Sequence, residues 1–331
     1  MDISIEEASE GELWNDLLAE SSRGSPFHRY EFLTTCAEYA GAVCRPYIGY
    51  KGNEPVGLFP VFEVQKGPFS VAFSPPPELK VHYLGPVLLN LGELKSRKRE
   101  QRNRRFIEAV LDEVEREFDP RYVHVRTTPA HHDERPFLWA GYDGTSRHTY
   151  VIDLTADRED LLAGFSSDLR KHVRDHAGAL DVSRATGPEV ERIIEEVAAL
   201  HERKDVDYTV PPPFVRDVHQ RLPDGMVHAH LCRYEGEFCG GEVALEHDGV
   251  VYGWQSVADT DLPVPVYDLL YWNAIESARD RGCTGYDLLG ANNPDLCRYK
   301  SKFAPDLRRY HSLSRGGWEM KLAAKVYKTF R

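Results

Sequence analysis

Tyr50-Lys51-Gly52-Asn53-Glu54-Pro55-Val56-Gly57 is echoed by Tyr234-Glu235-Gly236-Glu237-Phe238-Cys239-Gly240-Gly241, with the tyrosine and both glycines matching at a constant offset of 184. Each block reads as a strand, a tight turn on glycine and a second strand. Each is followed by an amphipathic helix and then a short strand that opens on tyrosine. In the first half these are Phe106 to Phe118 and Tyr122-Val123-His124-Val125. In the second they are Val266 to Ala278 and Tyr286-Asp287-Leu288-Leu289. The tyrosine offset has fallen to 164 there, so the first copy carries about twenty more residues between hairpin and helix. Two copies of a hairpin-helix-strand unit predict two similar α+β domains, residues 1–150 and 151–331, with a groove where they meet. Chance likeness between two ordinary α/β pieces is the competing reading.

The chain's 331 residues suit two domains, and 28% charged with 41% hydrophobic residues describes a globular protein. No apolar run approaches the ~20 residues that span a bilayer. The start, Met1-Asp2-Ile3-Ser4-Ile5-Glu6-Glu7, lacks the basic region of a signal peptide. A soluble cytoplasmic protein is expected. Cys36, Cys44, Cys232, Cys239, Cys283 and Cys297 form no CxxC pair and no zinc-finger spacing, so they read as free thiols and no metal is expected. The net charge of −12 argues against generic nucleic-acid binding.

Against that acidity, Lys95 to Arg105 holds seven basic residues and one acid. It reads either as a solvated loop and helix start or as a patch for phosphates, CoA or tRNA. Basic charge at a helix N-terminus opposes the helix dipole, which raises the second reading. Further on, Val81 to Leu84 reads as a strand, and His131-His132-Asp133 as an exposed polar loop. Pro188 to Lys204 reads as a long helix. Met226 to Tyr234, Phe238 to Glu246 and Val250 to Val257 form an antiparallel meander. Val266 to Arg281 is a helix, and Arg308 to Ser314 reads as the final strand.

Three segments of the second half carry a family likeness. They are Ser167-Asp168-Leu169-Arg170-Lys171-His172-Val173-Arg174-Asp175-His176-Ala177; Gly236 to Glu246 with Tyr252-Gly253-Trp254-Gln255 and Leu269 to Ile275; and Gly285-Tyr286-Asp287-Leu288-Leu289-Gly290 with Tyr299-Lys300-Ser301-Lys302-Phe303. In order and spacing they resemble the Gcn5-related N-acetyltransferase (GNAT) superfamily. Within it they are similar to the Fem-type peptidyltransferases and the related BioF2-like acetyltransferase domain. The resemblance covers residues 150–315 well and the first half weakly. It implies two tandem GNAT-like domains, each a mixed, mainly antiparallel sheet flanked by helices, the first one degenerate. It also implies acyl transfer onto an amine, the donor being acyl-CoA (acetyl-CoA first among them) or aminoacyl-tRNA. The acceptor is then a small-molecule, sugar or peptide amine.

Two departures stand out. The glycine-bearing pyrophosphate motif expected before the Val266 helix is replaced by Asp259-Thr260-Asp261-Leu262-Pro263-Val264-Pro265. Without glycines the backbone cannot wrap a pyrophosphate closely, and the aspartates repel it. The coiled-coil arm of some tRNA-using Fem enzymes is also missing.

Acyl transfer requires a deprotonated amine, a stabilised oxyanion and neutralised donor phosphates. By resemblance, Lys300 faces donor phosphate or the oxyanion, with Asn292 in the loop before it on the donor side. Arg170 and Arg174, one helical turn apart and on one face, are candidates to clamp phosphate or a carboxylate. Asp287, a carboxylate on a strand expected to be buried, is the candidate general base or amine anchor. Trp254, Gln255 and Tyr267 line an acceptor pocket, with His201 and Arg203 at its edge by a loose family pattern. The bland readings are a surface lysine, a solvated basic face, a structural hydrogen bond for Asp287 and core aromatics. Function therefore stays open between an amide-forming acyltransferase, a GNAT-fold binding module that has lost its donor site, and a polyanion binder acting through residues 95–105.

Overall fold

The structure is a computed structural model and describes residues 2–92 and 94–316; the predicted domain end at 331 lies outside them. The chain divides into two units, one formed by residues up to Arg147 and from Arg309 onward, the other by His148–Arg308.

The first unit contains β1 (Ser4–Glu7), α1 (Gly11–Ala19), α2 (Tyr30–Ala40), β2 (Val43–Lys51), β3 (Glu54–Lys66), β4 (Phe69–Ser74), β5 (Val87–Leu88), α3 (Ser96–Phe118), β6 (Tyr122–Arg126) and α4 (Arg135–Trp139). The strand β7 (Asp143–Asp153) leads into the second unit. There the chain forms α5 (Arg158–Gly164), α6 (Ser167–Asp175), β8 (Asp181–Arg184), α7 (Gly187–Arg203), α8 (Pro212–Arg221), β9 (Val227–Tyr234), β10 (Glu237–His247), β11 (Val250–Ala258), α9 (Val266–Asp280), β12 (Gly285–Asp287) and α10 (Pro294–Lys300). Finally β13 (Asp306–Gly316) leads back. The strand order is β1-β2-β3-β4-β6-β13 in the first unit, with β5 paired to β3, and β7-β12-β11-β10-β9-β8 in the second.

Both units contain the repeat read from the sequence: a hairpin, a third antiparallel strand, a crossover helix and a strand parallel to the third. In the first, β2-β3-β4 is followed by α3, and β6 lies parallel to β4. In the second, β9-β10-β11 is followed by α9, and β12 lies parallel to β11.

The hairpin registers correct the sequence alignment by one residue. Lys51 faces Glu54 and Gly49 faces Gly57, so Val56 is the bulged residue. Tyr234 faces Glu237 and Cys232 faces Gly240, so Cys239 is bulged. Lys51 and Tyr234 differ by 183, as do Glu54 and Glu237, Val56 and Cys239, Gly57 and Gly240. The shared left-handed turn position is therefore Gly52 (φ 62) and Glu235 (φ 51). The tyrosines and glycines that drew attention at 184 match one step off the structural register, and a bulge in each hairpin is what the shared geometry has in common.

Each crossover helix buries one apolar stripe. Phe106, Ile107, Val110, Leu111 and Val114 of α3 pack on Phe59, Val61, Ala72 and Val123. Tyr271, Trp272, Ile275 and Ala278 of α9 pack on Ala244, Val251 and Tyr286. Bare backbone admits the first helix: a Cβ on Gly57 would meet the Phe106 ring at 2.4 Å.

Three sequence expectations differ from the fold. The strand at Val81 to Leu84 reduces to a single bridge, Leu84 to Thr127; the turn at Gly85 (φ 75) places the short strand after it, at β5. The final strand, placed by sequence within residues 151–331, pairs antiparallel with β6 of the first unit, Ser312 opposite Arg126. His131 is buried rather than exposed, its ring edge-on to Phe137 at 6.3 Å and its Nε2 3.1 Å from the Asp133 carbonyl. Burial pushes its imidazole down to about 4. The cause is α4, which brings Phe137 over the loop, a five-residue helix too short to read from periodicity.

Candidate active site

The second unit's parallel pair ends early. Val250, Val251 and Tyr252 of β11 face Gly285, Tyr286 and Asp287 of β12. Beyond that, β11 continues to Ala258 on its β10 partner alone, while the chain after Asp287 turns away and bonds to β7: Leu288 N to the Tyr150 carbonyl, Ala291 N to that of His148. Two strands that part leave the β12-facing edge of Gly253–Ala258 without a ladder partner from β12, so backbone donors and acceptors face a fork.

Glu242 lies under this fork. It sits on β10 opposite Ser256, on the face covered by α9, and is 0% exposed. Its Oε1 accepts from the Tyr286 hydroxyl, and its Oε2 has no hydrogen-bond partner among the described residues. Desolvation raises its pKa to about 7, against a smaller lowering by the tyrosine. Tyr271 stands next to it, its Oη 3.1 Å from Ser256 Oγ. Gly253 supplies the room: a Cβ there would come within 3.0 Å of both Glu242 Oε1 and Tyr286 Oη. Gly253 and Ser256 are half-exposed, which brings solvent close to the carboxyl.

Sequence reasoning misses Glu242 as a site residue. The available signal is its place in Cys239-Gly240-Gly241-Glu242-Val243-Ala244-Leu245, the one charged residue in a run where every neighbour is apolar or glycine.

Lys300 is not directed at open solvent. It is 8% exposed, and its Nζ donates to the carbonyls of Leu288 (2.7 Å), Leu289 (2.9 Å) and Gly290 (3.0 Å). Those bonds engage all three ammonium protons. Burial lowers its pKa to about 8, opposed by Asp287. Asp287 Oδ1 accepts from Thr149 Oγ1 (2.6 Å) and the Leu289 amide (2.9 Å). Leu289 and Gly290 both hold positive φ, 47° and 90°. Lys300 and Asp287 thus come together, and their contacts pin this reversal. Asn292 does the same one step on, its side-chain amide exchanging two bonds with the backbone of His148 (3.0 and 2.9 Å). Arg170 lies outside this knot, its Nη1 donating to the Ala163 carbonyl (3.1 Å), and Arg174 is exposed on the same helix.

The start of α9 is occupied by the chain's own groups. Asp268 in its first turn is buried and accepts from His172 Nδ1 at 2.6 Å, with Lys302 Nζ at 3.9 Å. Lys302 also pairs with Asp168 at 2.8 Å. The preceding loop folds on itself, Asp261 N donating to Asp259 Oδ1. Tyr267, Tyr271, Tyr299 and Phe303 pack ring to ring at 5.7–6.5 Å between α9 and the segment formed by α10 and the turn after it.

The acceptor candidates separate onto two faces. Tyr267 belongs to that ring cluster on the α9 face. Trp254 and Gln255 join His201 on the α7 and α8 side, where Trp254 meets Phe214 edge-on at 5.7 Å and Tyr208 Oη donates to Gln255 Oε1 at 2.8 Å. Arg203 is exposed at the end of α7.

The acetyltransferase (GNAT) domain family matches residues 166–301, spanning both faces of the fork. The second unit thus contains a segment similar to that domain family. Among solved structures, the chain resembles FemX, with a TM-score of 0.71 at 11% identity over 94% of this chain and 97% of that one. It also resembles L-PGS from Bacillus licheniformis (0.60, 13% identity, 98% of each chain) and a tandem GNAT protein from the clavulanic acid biosynthesis pathway (0.55, 13% identity, 95% and 98%). At these identities the likeness shows the fold, a tandem GNAT architecture. No curated protein matches the sequence. Among the described residues no group of side chains is arranged to hold a metal ion, and no helix is long and apolar enough to cross a membrane.

Proposed function

We propose that the chain forms amide bonds by acyl transfer onto an amine, and that the reaction runs at the fork with Glu242 taking the amine's proton. The observation that carries this is a fully buried carboxyl, hydrogen-bonded among the described residues on one oxygen only, beside a glycine that keeps the space in front of it. A general base works best with a pKa near the working pH, and burial sets Glu242 at about 7. The amine nitrogen attacks the acyl carbonyl, the new C–N bond forms and Glu242 receives the N–H proton. The bond from the acyl carbon to the donor's oxygen or sulfur then breaks, and the leaving group takes a proton. Tyr286 donates to the carboxylate throughout and fixes its orientation. Backbone N–H groups on the β12-facing edge of β11 are suited to hold the oxyanion.

The donor reading favours an aminoacyl ester, as of aminoacyl-tRNA, over acyl-CoA. Asp259, Asp261 and Asp268 put carboxylates where a pyrophosphate would seek the start of α9. The exposed cations of the α3 start, Lys95, Arg97, Lys98, Arg99, Arg104 and Arg105, are a surface suited to tRNA phosphates. Within that cluster Arg102 is set apart, buried and paired with Glu54 at 2.8 Å.

A second reading, a GNAT-fold binding module without catalysis, draws support from the committed protons of Lys300 and the rings packed across α9. One experiment decides between them: product formation, followed by mass spectrometry, from acetyl-CoA, longer acyl-CoAs and aminoacyl-tRNA with a panel of amines, using wild type and Glu242→Gln. Transfer by wild type that Glu242→Gln loses supports the first reading. Binding of donors without turnover supports the second.

A further inference from the structure

On the sheet face opposite Glu242, α7 packs against β10, β11 and α8. Gln255 sits in this seam, 6% exposed. Its amide oxygen faces Tyr208, whose Oη donates to Oε1 at 2.8 Å. With the oxygen end fixed as acceptor, Nε2 is the donor end, and it is buried with no hydrogen-bond partner among the described residues. A buried N–H donor without an acceptor is rare in native proteins, and each one calls for an acceptor from a water, an ion or a ligand. Tyr208 is itself held, its ring centre 4.9 Å from that of His201, whose Nδ1 donates to the Val197 carbonyl. Beside the amide, Trp254 occupies a bulge in β11, between Gly253 paired with Ala244 and Gln255 paired with Val243. The segment that delivers Tyr208, between α7 and α8, is exposed from Glu202 to Asp207 and turns through a left-handed Asp205 (φ 54).

We infer that this seam is a subsite that reads a neutral carbonyl oxygen of the amine acceptor, a peptide or carboxamide group, through Gln255 Nε2 with Trp254 as its apolar wall. A carboxylate fits less well, because a buried anion needs a cation and the donor here is a neutral amide. The inference rests on the acyl-transfer reading for the chemistry after binding, but the binding step stands apart from it. Gln255 has neighbours on the sheet that lead to the fork: it is next in sequence to Ser256, which faces Glu242 across the β10–β11 pair.

The test is direct binding to the full chain, by saturation-transfer NMR and calorimetry, with glycinamide and N-acetylglycinamide as probes and ethylamine as the control lacking a carbonyl. Wild type is expected to bind both amides and to ignore ethylamine at the same concentration. Gln255→Leu and Gln255→Glu should each weaken the amides about tenfold or more, since one removes the donor and the other turns it into a repelling acceptor. Tyr208→Phe should fall between, by releasing the amide to rotate. Amides that bind Gln255→Glu as tightly as wild type, or that fail to bind wild type, overturn the subsite. If Gln255→Leu does not fold, the near-isosteric Gln255→Glu decides. Glu242→Gln should keep amide binding while losing transfer, so loss of the transfer reading and loss of the subsite are told apart.

Discussion

In the first unit, β4 stays paired with its parallel neighbour β6 to its final residue, Ser74 opposite Val125; in the second, β11 runs on through Gly253 to Ala258 after β12 has stopped. The same hairpin-helix-strand pattern is zipped in one unit and forked in the other. The position beneath the fork differs accordingly. At the structural offset of 183, the pair His230 and Glu242 of the second unit corresponds to Tyr47 and Phe59 of the first. Phe59 is 1% exposed in an apolar core, so this lattice position does not need a carboxyl for the fold to form. A buried acid retained where a phenylalanine suffices is a cost to stability, and the fork gives it a use.

The largest expected effect breaks that contrast at its centre. Glu242→Gln should lower the transfer rate by about 10²- to 10⁴-fold, the usual worth of a positioned base, measured as kcat with the best donor found. Phe59→Leu, its counterpart, should leave kcat close to wild type while costing about 1 kcal/mol of stability. Equal loss of activity from both would put the chemistry elsewhere.

Lys300→Met comes next. It strands the carbonyls of Leu288, Leu289 and Gly290, and should destabilise by roughly 3 kcal/mol in a urea titration. Unchanged stability together with lost transfer would instead give Lys300 the catalytic role that the family resemblance implies.

The titration of Glu242 gives a signed pH test. An ordinary glutamate titrates near 4.5 and this one at about 7, so the folded state holds an extra proton between the two. Folding stability from this group is then lost as pH rises through that window. Glu242→Gln should match wild type near pH 4 and exceed it by a few kcal/mol at pH 8, read from melting curves at both values. A gap that shrinks with rising pH would refute the burial argument.

Gly253→Ala should cost about tenfold in transfer, because its Cβ crowds both Glu242 and Tyr286. Gly285→Ala is the control on the adjoining strand, where the nearest atoms lie at an ordinary 3.5 Å.

Much of the fold was legible because turns and helices leave local marks. Gly52 and Gly236 announced the hairpins, and Ile107, Val110, Leu111 and Val114 announced α3. The register was not legible, since a bulge at Val56 or Cys239 leaves no residue type of its own. Which edge β13 joins was equally hidden, because alternation shows a strand but not its neighbour. Around the fork, the sequence singled out Asp287, Lys300 and Gln255 but not the groups they bond to. An ammonium aimed at three carbonyls and one aimed at a phosphate are the same letter. Glu242 escaped notice because a single acid in an apolar strand reads as an edge until the covering helix is in place.

The return of β13 to β6 has a consequence for synthesis. The second unit, His148–Arg308, is one unbroken stretch and is complete once the ribosome has made it. The earlier-made unit must wait for Arg309–Gly316, and until then β6 shows a bare edge on the side that β13 will fill. Unpaired edges recruit stray strands. A nascent or proteolysed chain ending before Asp306 should therefore aggregate through its oldest part, while the younger part is already folded.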